Sequence, residues 1–480
     1  MNKVASFFAA IGAWFKRVGI AIAKWFKNWF VKVDDKDIIP VRIGRWFKSL
    51  FVTVEPAVEP GLKTFWKKEG TQNCAASVMS IITGLLVGFV LLIIFSFTNS
   101  ALSFKSAWEA FRIMLGAVFY EGRVDGSLSF GFNAKLFGNM LFNAMPLIMT
   151  GLSVAIAYKT GLFNIGAPGQ YLMGTWATLV IALSIDSSAV SPVLIWILSF
   201  LGGVAAGFIW GCIPGLFKAL LNVNEVITSI MCNWISIYSL YWFFEVDNKR
   251  GMEALFINMK ESTKSGFVYK TSFNDVTTFN FGLDKIFPDS KISGGILIAI
   301  LIAVAVFIVL NKTKFGYELK ACGANRFGAK YAGMNDTKNI ILSMGIAGGL
   351  AGAGAALYYL SGIPEYAWTN TASLPAVGFN GIAVALLANS NPVGCVFTAM
   401  FLSYITIGGE QVQGATAYNS YISDLIVAII VYLSAFMLLF KNILQGKLRK
   451  NKQQAVAATD NAPIPQQPVD QQSVPQGEEE

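Results

Sequence analysis

The chain has 480 residues, 54% of them hydrophobic and only 14% charged, with a mean hydropathy of +0.55, a usage that excludes an ordinary soluble domain. Its formal net charge of +9 lies along membrane flanks without a recognition motif, so no nucleic acid is expected and anionic lipid is the expected partner. Histidine is absent, which removes imidazole metal ligands, Ser-His or Cys-His catalysis and histidine proton relays. Cys74, Cys212, Cys232, Cys322 and Cys395 form no C-x-x-C pair, so neither a disulfide framework nor a metal site is expected, and no cofactor.

From the N-terminus, 1–70 reads as a cytosolic arm on the membrane surface. Phe7, Ile11, Trp14, Phe15, Val18, Ile22, Trp25, Phe26 and Trp29 recur at three- and four-residue steps, with Lys16, Arg17, Lys24 and Lys27 facing away. That is the pattern of an interfacial amphipathic helix, and Ile43, Trp46, Phe47 and Leu50 repeat it. The segment 71–445 then reads as a transmembrane domain of about ten helices. A span needs about 20 apolar residues, and lipid tolerates no unpaired backbone group. The runs 77–97, 190–213, 226–244, 292–310, 340–360 and 425–440 carry no Lys, Arg, Asp or Glu. Four further runs, 136–158, 170–185, 376–388 and 393–407, are interrupted by Gly, Pro or Asn. The fold class expected is therefore an all-α integral membrane protein, with broken helices in two related halves.

Basic residues orient it. With both termini cytosolic, Lys and Arg number 13 in 1–75, 6 in the loop 311–339 and 5 from Lys441 onward, and Lys159 and Lys218 bring the inner total to 26 of 37; that is the positive-inside pattern. The tail 446–480 is rich in Gln and Pro, ends in three glutamates and has almost no large apolar residue, so it is expected to be disordered.

Within the spans, Gly203, Gly207, Gly211 and Gly215 share one helix face and Gly345, Gly348, Gly349 and Gly352 crowd another; small-residue faces of this kind are expected to touch other helices. The run KTGLFNIGAPGQ at 159–170 sets three glycines, a proline, an asparagine and a glutamine between two apolar segments. A second interruption, GFNGIAVALLANSNPVG, occupies 378–394. Paired interruptions in corresponding halves point to a substrate site built on broken helices. Ordinary turns between spans would leave the same trace, and periodicity does not separate the two.

Phe137-Gly138-Asn139, the run from Pro146 to Ala155, KTGLFNIGAPGQ, Asn224-Glu225-Val226-Ile227-Thr228 with Asn233, and GYELKACGANRFGAKYAGMN at 316–335 resemble, in this order, the permeases of bacterial nucleoside and simple-sugar ABC importers, relatives of branched-chain amino acid and ribose permeases. The likeness covers roughly 77–440. It departs at Pro168, where the family usually carries Glu. It implies a multi-pass protein of the bacterial plasma membrane, working with a second homologous permease subunit, a cytosolic ABC ATPase and an extracellular substrate-binding lipoprotein. No G-x-x-x-x-G-K-[ST] loop occurs in the chain, so the protein is not expected to be an enzyme and ATP hydrolysis belongs to a partner. The loop 311–339 is then the coupling segment, with Lys320, Gly323, Asn325, Arg326 and Gly333 as candidate coupling residues. For a nucleoside, Phe163 and Phe379 suit stacking and Asn164, Gln170, Asn233 and Asn380 suit hydrogen bonding; a sugar such as ribose suits most of the same set. An ion-coupled secondary transporter usually needs ionisable groups within spans, and the uncharged runs carry none. Glu225, at a helix start, is expected to favour the helix N-terminus.

Overall fold

Apolar runs become helices in this chain because a helix satisfies its own backbone hydrogen bonds, which no lipid can do. The computed structural model describes residues 69–98, 102–185, 189–245, 266–269, 276–364, 366–369, 373–419 and 421–434. Of the two units into which the chain divides, 1–71 and 72–480, the second holds nearly all of them. The amphipathic arm and the glutamine-rich tail lie outside the described residues.

The helices are α1 (Glu69–Thr98), α2 (Phe104–Gly116), α3 (Ala134–Lys159), α4 (Ala167–Ser184), α5 (Pro192–Leu221), α6 (Glu225–Glu245), α7 (Leu283–Ile286), α8 (Gly295–Lys312), α9 (Lys314–Ala324), α10 (Arg326–Tyr331), α11 (Asp336–Tyr359), α12 (Ala376–Leu387), α13 (Pro392–Ala415) and α14 (Tyr421–Ser434). Among the described residues six of them, α1, α3, α5, α8, α11 and α13, are long and apolar enough to cross a membrane.

Two antiparallel ribbons depart from an all-helical chain: β1 (Tyr120–Val124) with β2 (Ser127–Phe130), and β3 (Gly266–Tyr269) with β4 (Tyr366–Thr369). The first turns at Asp125 (φ 49°) and Gly126 (φ 76°), the Asp-Gly pair that suits a tight hairpin.

Burial places α3 and α11 at the centre. Their apolar segments are 89% and 83% buried, against 22% for α5. Met145, Ile148, Met149 and Leu152 of α3 are fully enclosed, in one cluster with Leu350 and Leu357 of α11 and with Val384 of α12. The two glycine faces meet each other. A Cβ at Gly207 would stand 2.3 Å from the Gly348 carbonyl oxygen, one at Gly211 2.3 Å from that of Met344, and one at Gly352 2.2 Å from that of Gly203. The axes of α5 and α11 therefore close to backbone contact, and the attraction is dispersion along the whole seam.

Local chemistry ends the helices. Asn222 takes the left-handed conformation after α5 (φ 52°, ψ 27°), as asparagine readily does, and the Lys218–Glu225 ion pair at 2.9 Å bridges the turn into α6. Glu225 thus stands in the first turn of α6, where a carboxylate is favoured. Helix α13 runs past the expected end at Ile407 to Ala415 and takes in Glu410. Its Gly408 packs on α2, where an added Cβ would lie 2.9 Å from the Met114 carbonyl oxygen, so the Gly-Gly pair is a close crossing and not a stop.

Candidate functional site

The segment 160–166 is a connector that folds back on the end of α3, and not a gap within one span. Leu162 N donates to the Ala157 carbonyl at 3.0 Å and Gly161 supplies the positive φ, +75°, that the reversal needs. Gln170 falls in the first turn of α4. In the second interruption 378–387 is helical and the chain breaks only at 388–391, where Asn389 (φ 49°) and Ser390 (φ 53°) are left-handed. Pro392 cannot continue a helix, so a new one starts there, capped by Asn391 accepting from Val393 N at 3.0 Å. Phe379 and Asn380 are therefore helical residues of α12, not residues of an unwound strand.

The connector is held by amides. Asn164 donates to Ser153 Oγ at 3.0 Å and to Gln170 Oε1 at 2.8 Å, and its Oδ1 accepts from Gly166 N and Gln170 Nε2, both at 3.1 Å. Those four bonds use the full capacity of a primary amide. Asn233, from α6, accepts from Gly169 N at 2.9 Å and donates to the Ile165 carbonyl at 3.1 Å. Gly169 N is one of the donors that a helix start leaves without an intrahelical partner, so a side chain from another helix caps α4. All three amides are buried. The cluster ties α3, α4 and α6 into one unit, as a buried polar group must be paired to be tolerated.

The two interruptions meet here. A Cβ on Gly378 would stand 2.5 Å from the Cα and N of Pro168, and one on Gly381 2.6 Å from Thr150 Cβ. Thr150 Oγ1 donates to the Val377 carbonyl at 3.1 Å. Pro168 thus supplies the backbone against which Gly378, near the start of α12, packs. Among the described residues Asn380 makes no side-chain hydrogen bond; it is half-buried, as is Phe163, and Phe379 is 41% exposed. The six candidates therefore divide into saturated amides (Asn164, Gln170, Asn233) and groups left uncommitted (Phe163, Phe379, Asn380). Ser153 and Thr150, which complete the cluster, stand in the PLIMTGLSVA run without any local signal of their partners. Ser229 is buried beside Gly166, and among the described residues its hydroxyl has no hydrogen-bond partner.

The loop 311–339, expected to be the coupling segment, carries α9 and α10. Thr313 caps α9 by accepting from Gly316 N at 3.1 Å, and Asn325 caps α10 by accepting from Gly328 N at 3.0 Å. Lys320 Nζ donates to Asn311 Oδ1 at 2.7 Å. Arg326 pairs with Asp336 at 2.6 Å and reaches the Ala219 carbonyl, which binds the elbow to α11 and α5. Gly333 closes the loop with φ +81°. These residues shape the segment. What it offers outward is aromatic: Tyr317, Phe327 and Tyr331 are 65%, 75% and 94% exposed. Phe327 and Tyr331, four apart on α10, share one face, a spacing that the sequence carries among the basic and small residues of the same segment.

Residues 136–435, which contain both the amide cluster and helices α9 and α10, match the family model described as branched-chain amino acid transport system, permease component. The guanosine ABC transporter permease protein NupP of Bacillus subtilis is 32% identical over 378 residues, 78% of this chain and 96% of its own length. The nucleoside ABC transporter permease protein NupB of Lactococcus lactis is 31% identical over 385 residues, 80% of this chain and 95% of its own. The glucose ABC transporter permease protein TsgB13 of Haloferax volcanii is 29% identical over 302 residues, 61% of this chain and 74% of its own. No solved structure matches. With the match spanning nearly all of α3 through α14, the chain belongs to the permease-component family of the branched-chain amino acid transport systems.

Proposed function

We propose that this multi-pass plasma-membrane protein translocates nucleosides into the cell as the permease subunit of an ABC importer. The observation that carries the substrate class is the likeness over nearly their whole length to two relatives named for guanosine and nucleosides. The site supports it: Phe163 and Phe379 offer ring faces for a base, and Asn380 an amide for a polar edge. Asn164, Gln170 and Asn233 shape the same place by fixing the connector. The relative named for glucose favours a second reading, a sugar such as ribose. Competition decides between them. In proteoliposomes holding the assembled transporter, excess unlabelled uridine or adenosine is expected to suppress uptake of labelled guanosine, and ribose to leave it unchanged; suppression by ribose alone would reverse the assignment.

The same reading gives the chain ten spans, because each of the ten apolar runs overlaps a helix, α1, α3, α4, α5, α6, α8, α11, α12, α13 and α14. Both termini are cytosolic, and α9 and α10 face the cytosol. The division is a surface arm at 1–70, a permease domain at 71–445 with its coupling loop at 311–339, and a tail at 446–480. The partners are a cytosolic ABC ATPase at Tyr317, Phe327 and Tyr331, a second homologous permease, an extracellular substrate-binding lipoprotein, and anionic lipid under the arm.

A further inference from the structure

We infer that motion of the coupling helices reaches the amide cluster through a direct backbone contact between Gly323 and the turn at Lys159–Gly161. This rests on the permease reading above and adds the route inside the chain. Gly323 stands in the last turn of α9, open to solvent on one side and laid against the turn at the end of α3 on the other. A Cβ there would lie 2.4 Å from the Lys159 carbonyl oxygen and 2.9 Å from Gly161 N; from the other side, a Cβ on Gly161 would lie 3.2 Å from Gly323 Cα. Two backbones touch with no side chain between them. Such a contact is stiff, because no rotamer can relieve a push of a few tenths of an ångström.

The turn that receives the push is itself tightly bound. Gly161 N donates to the Tyr158 carbonyl at 3.1 Å and Leu162 N to that of Ala157 at 3.0 Å. Within that turn, the Thr160 hydroxyl shares a 2.6 Å hydrogen bond with Ser343 of α11, both residues being buried. Asn164 follows three residues after Gly161, and its four bonds hold α3 and α4 together around the connector. Helix α9 has a further hold on α11, where Asn339 donates to Glu318 Oε2 at 3.2 Å. A displacement of α9 is therefore delivered at two places: the start of α11, and the connector whose far end carries the amide cluster. Packed elements of this kind shift between discrete arrangements and do not deform smoothly. Gly161, Gly323, Thr160 and Ser343 are thus positioning residues for transport, acting through the connector and not on the solute.

The test measures uptake of labelled guanosine and ATP hydrolysis in one preparation of the assembled transporter with its ATPase and receptor protein. Gly323→Ala, whose methyl meets only backbone, is expected to lower uptake per ATP hydrolysed about tenfold while the ATPase still co-purifies and turns over. Thr160→Val removes the hydroxyl link without adding bulk, and is expected to lower the ratio about threefold. Gly211→Ala crowds the α5–α11 seam and is expected to lower thermal stability with the ratio unchanged, the mark of a contact that only packs. A wild-type ratio in Gly323→Ala and Thr160→Val would overturn the inference; should Gly323→Ala fail to assemble, Thr160→Val decides alone. Absence of ATP-dependent uptake by the wild-type transporter would instead remove the permease reading, and the inference with it.

Discussion

Asn164 and Asn380 are the same residue type in opposite settings, one saturated with hydrogen bonds and one half-buried with its amide uncommitted among the described residues. Asn164 is buried with four hydrogen bonds, two of them shared with Gln170. Its replacement by alanine strands Ser153, Gln170 and the Gly166 amide, at a cost of about 1 to 3 kcal/mol in stability for an unsatisfied buried group. The expected outcome of Asn164→Ala is a lower melting temperature and lower expression, with substrate preference unchanged in the protein that survives. Asn380→Ala loosens nothing, since Asn380 has no side-chain bond to lose among the described residues. Its expected outcome is an unchanged melting temperature and a fall in guanosine uptake of roughly five- to a hundredfold, the worth of one hydrogen bond to a solute. Melting curves and uptake per folded protein check both. The residue types of this site were legible in the sequence because glycine, proline and primary amides crowd both interruptions. Their division of labour was not, since the partner of Asn233 is a backbone amide 64 positions away, and nothing local announces such a pair.

At the scale of elements, the glycine face of α5 was legible as a contact surface, and its partner emerges only when α11 is laid against it. Gly207 faces the Gly348 carbonyl oxygen with no room for a Cβ, so Gly207→Leu must part the two helices. Overpacking of this kind costs about 1 to 3 kcal/mol or more, and the expected result in detergent is a lower melting temperature than the wild type. Substituting the exposed residue Leu201 on the same helix is expected to leave it unchanged. The coupling helices divide differently. Arg326 and Asn325 are engaged within the chain, whereas among the described residues Phe327 and Tyr331 stand exposed. The double substitution Phe327→Ala with Tyr331→Ala is expected to leave the melting temperature unchanged and to weaken co-purification of the ATPase at least about tenfold, since exposed aromatic anchors carry a large share of interface energy. The helices of the bundle were legible as apolar runs, and their ends less so. Helix α13 outruns its expected end because two glycines in a membrane helix serve close packing as readily as they serve a stop, and the strands of the first ribbon, 5 and 4 residues long, are too short to stand out beside the apolar runs.

For the whole molecule, the sequence already favoured a pore driven by a partner: no phosphate-binding loop, no histidine, and uncharged runs. In the proposed topology charge asymmetry puts 311–339 on the cytosolic side, and the structure gives that segment two capped helices tied to α11 and α5. The central claim is that ATP hydrolysed by a partner, and not an ion gradient, drives the solute through this bundle. Its most direct test is uptake of labelled guanosine into proteoliposomes holding the permease pair, the ATPase and the receptor protein. Uptake is expected to require ATP at the coupling-helix side and to persist when ionophores collapse every ion gradient. Undiminished uptake without ATP, driven by an imposed ion gradient and abolished by the ionophores, would contradict it.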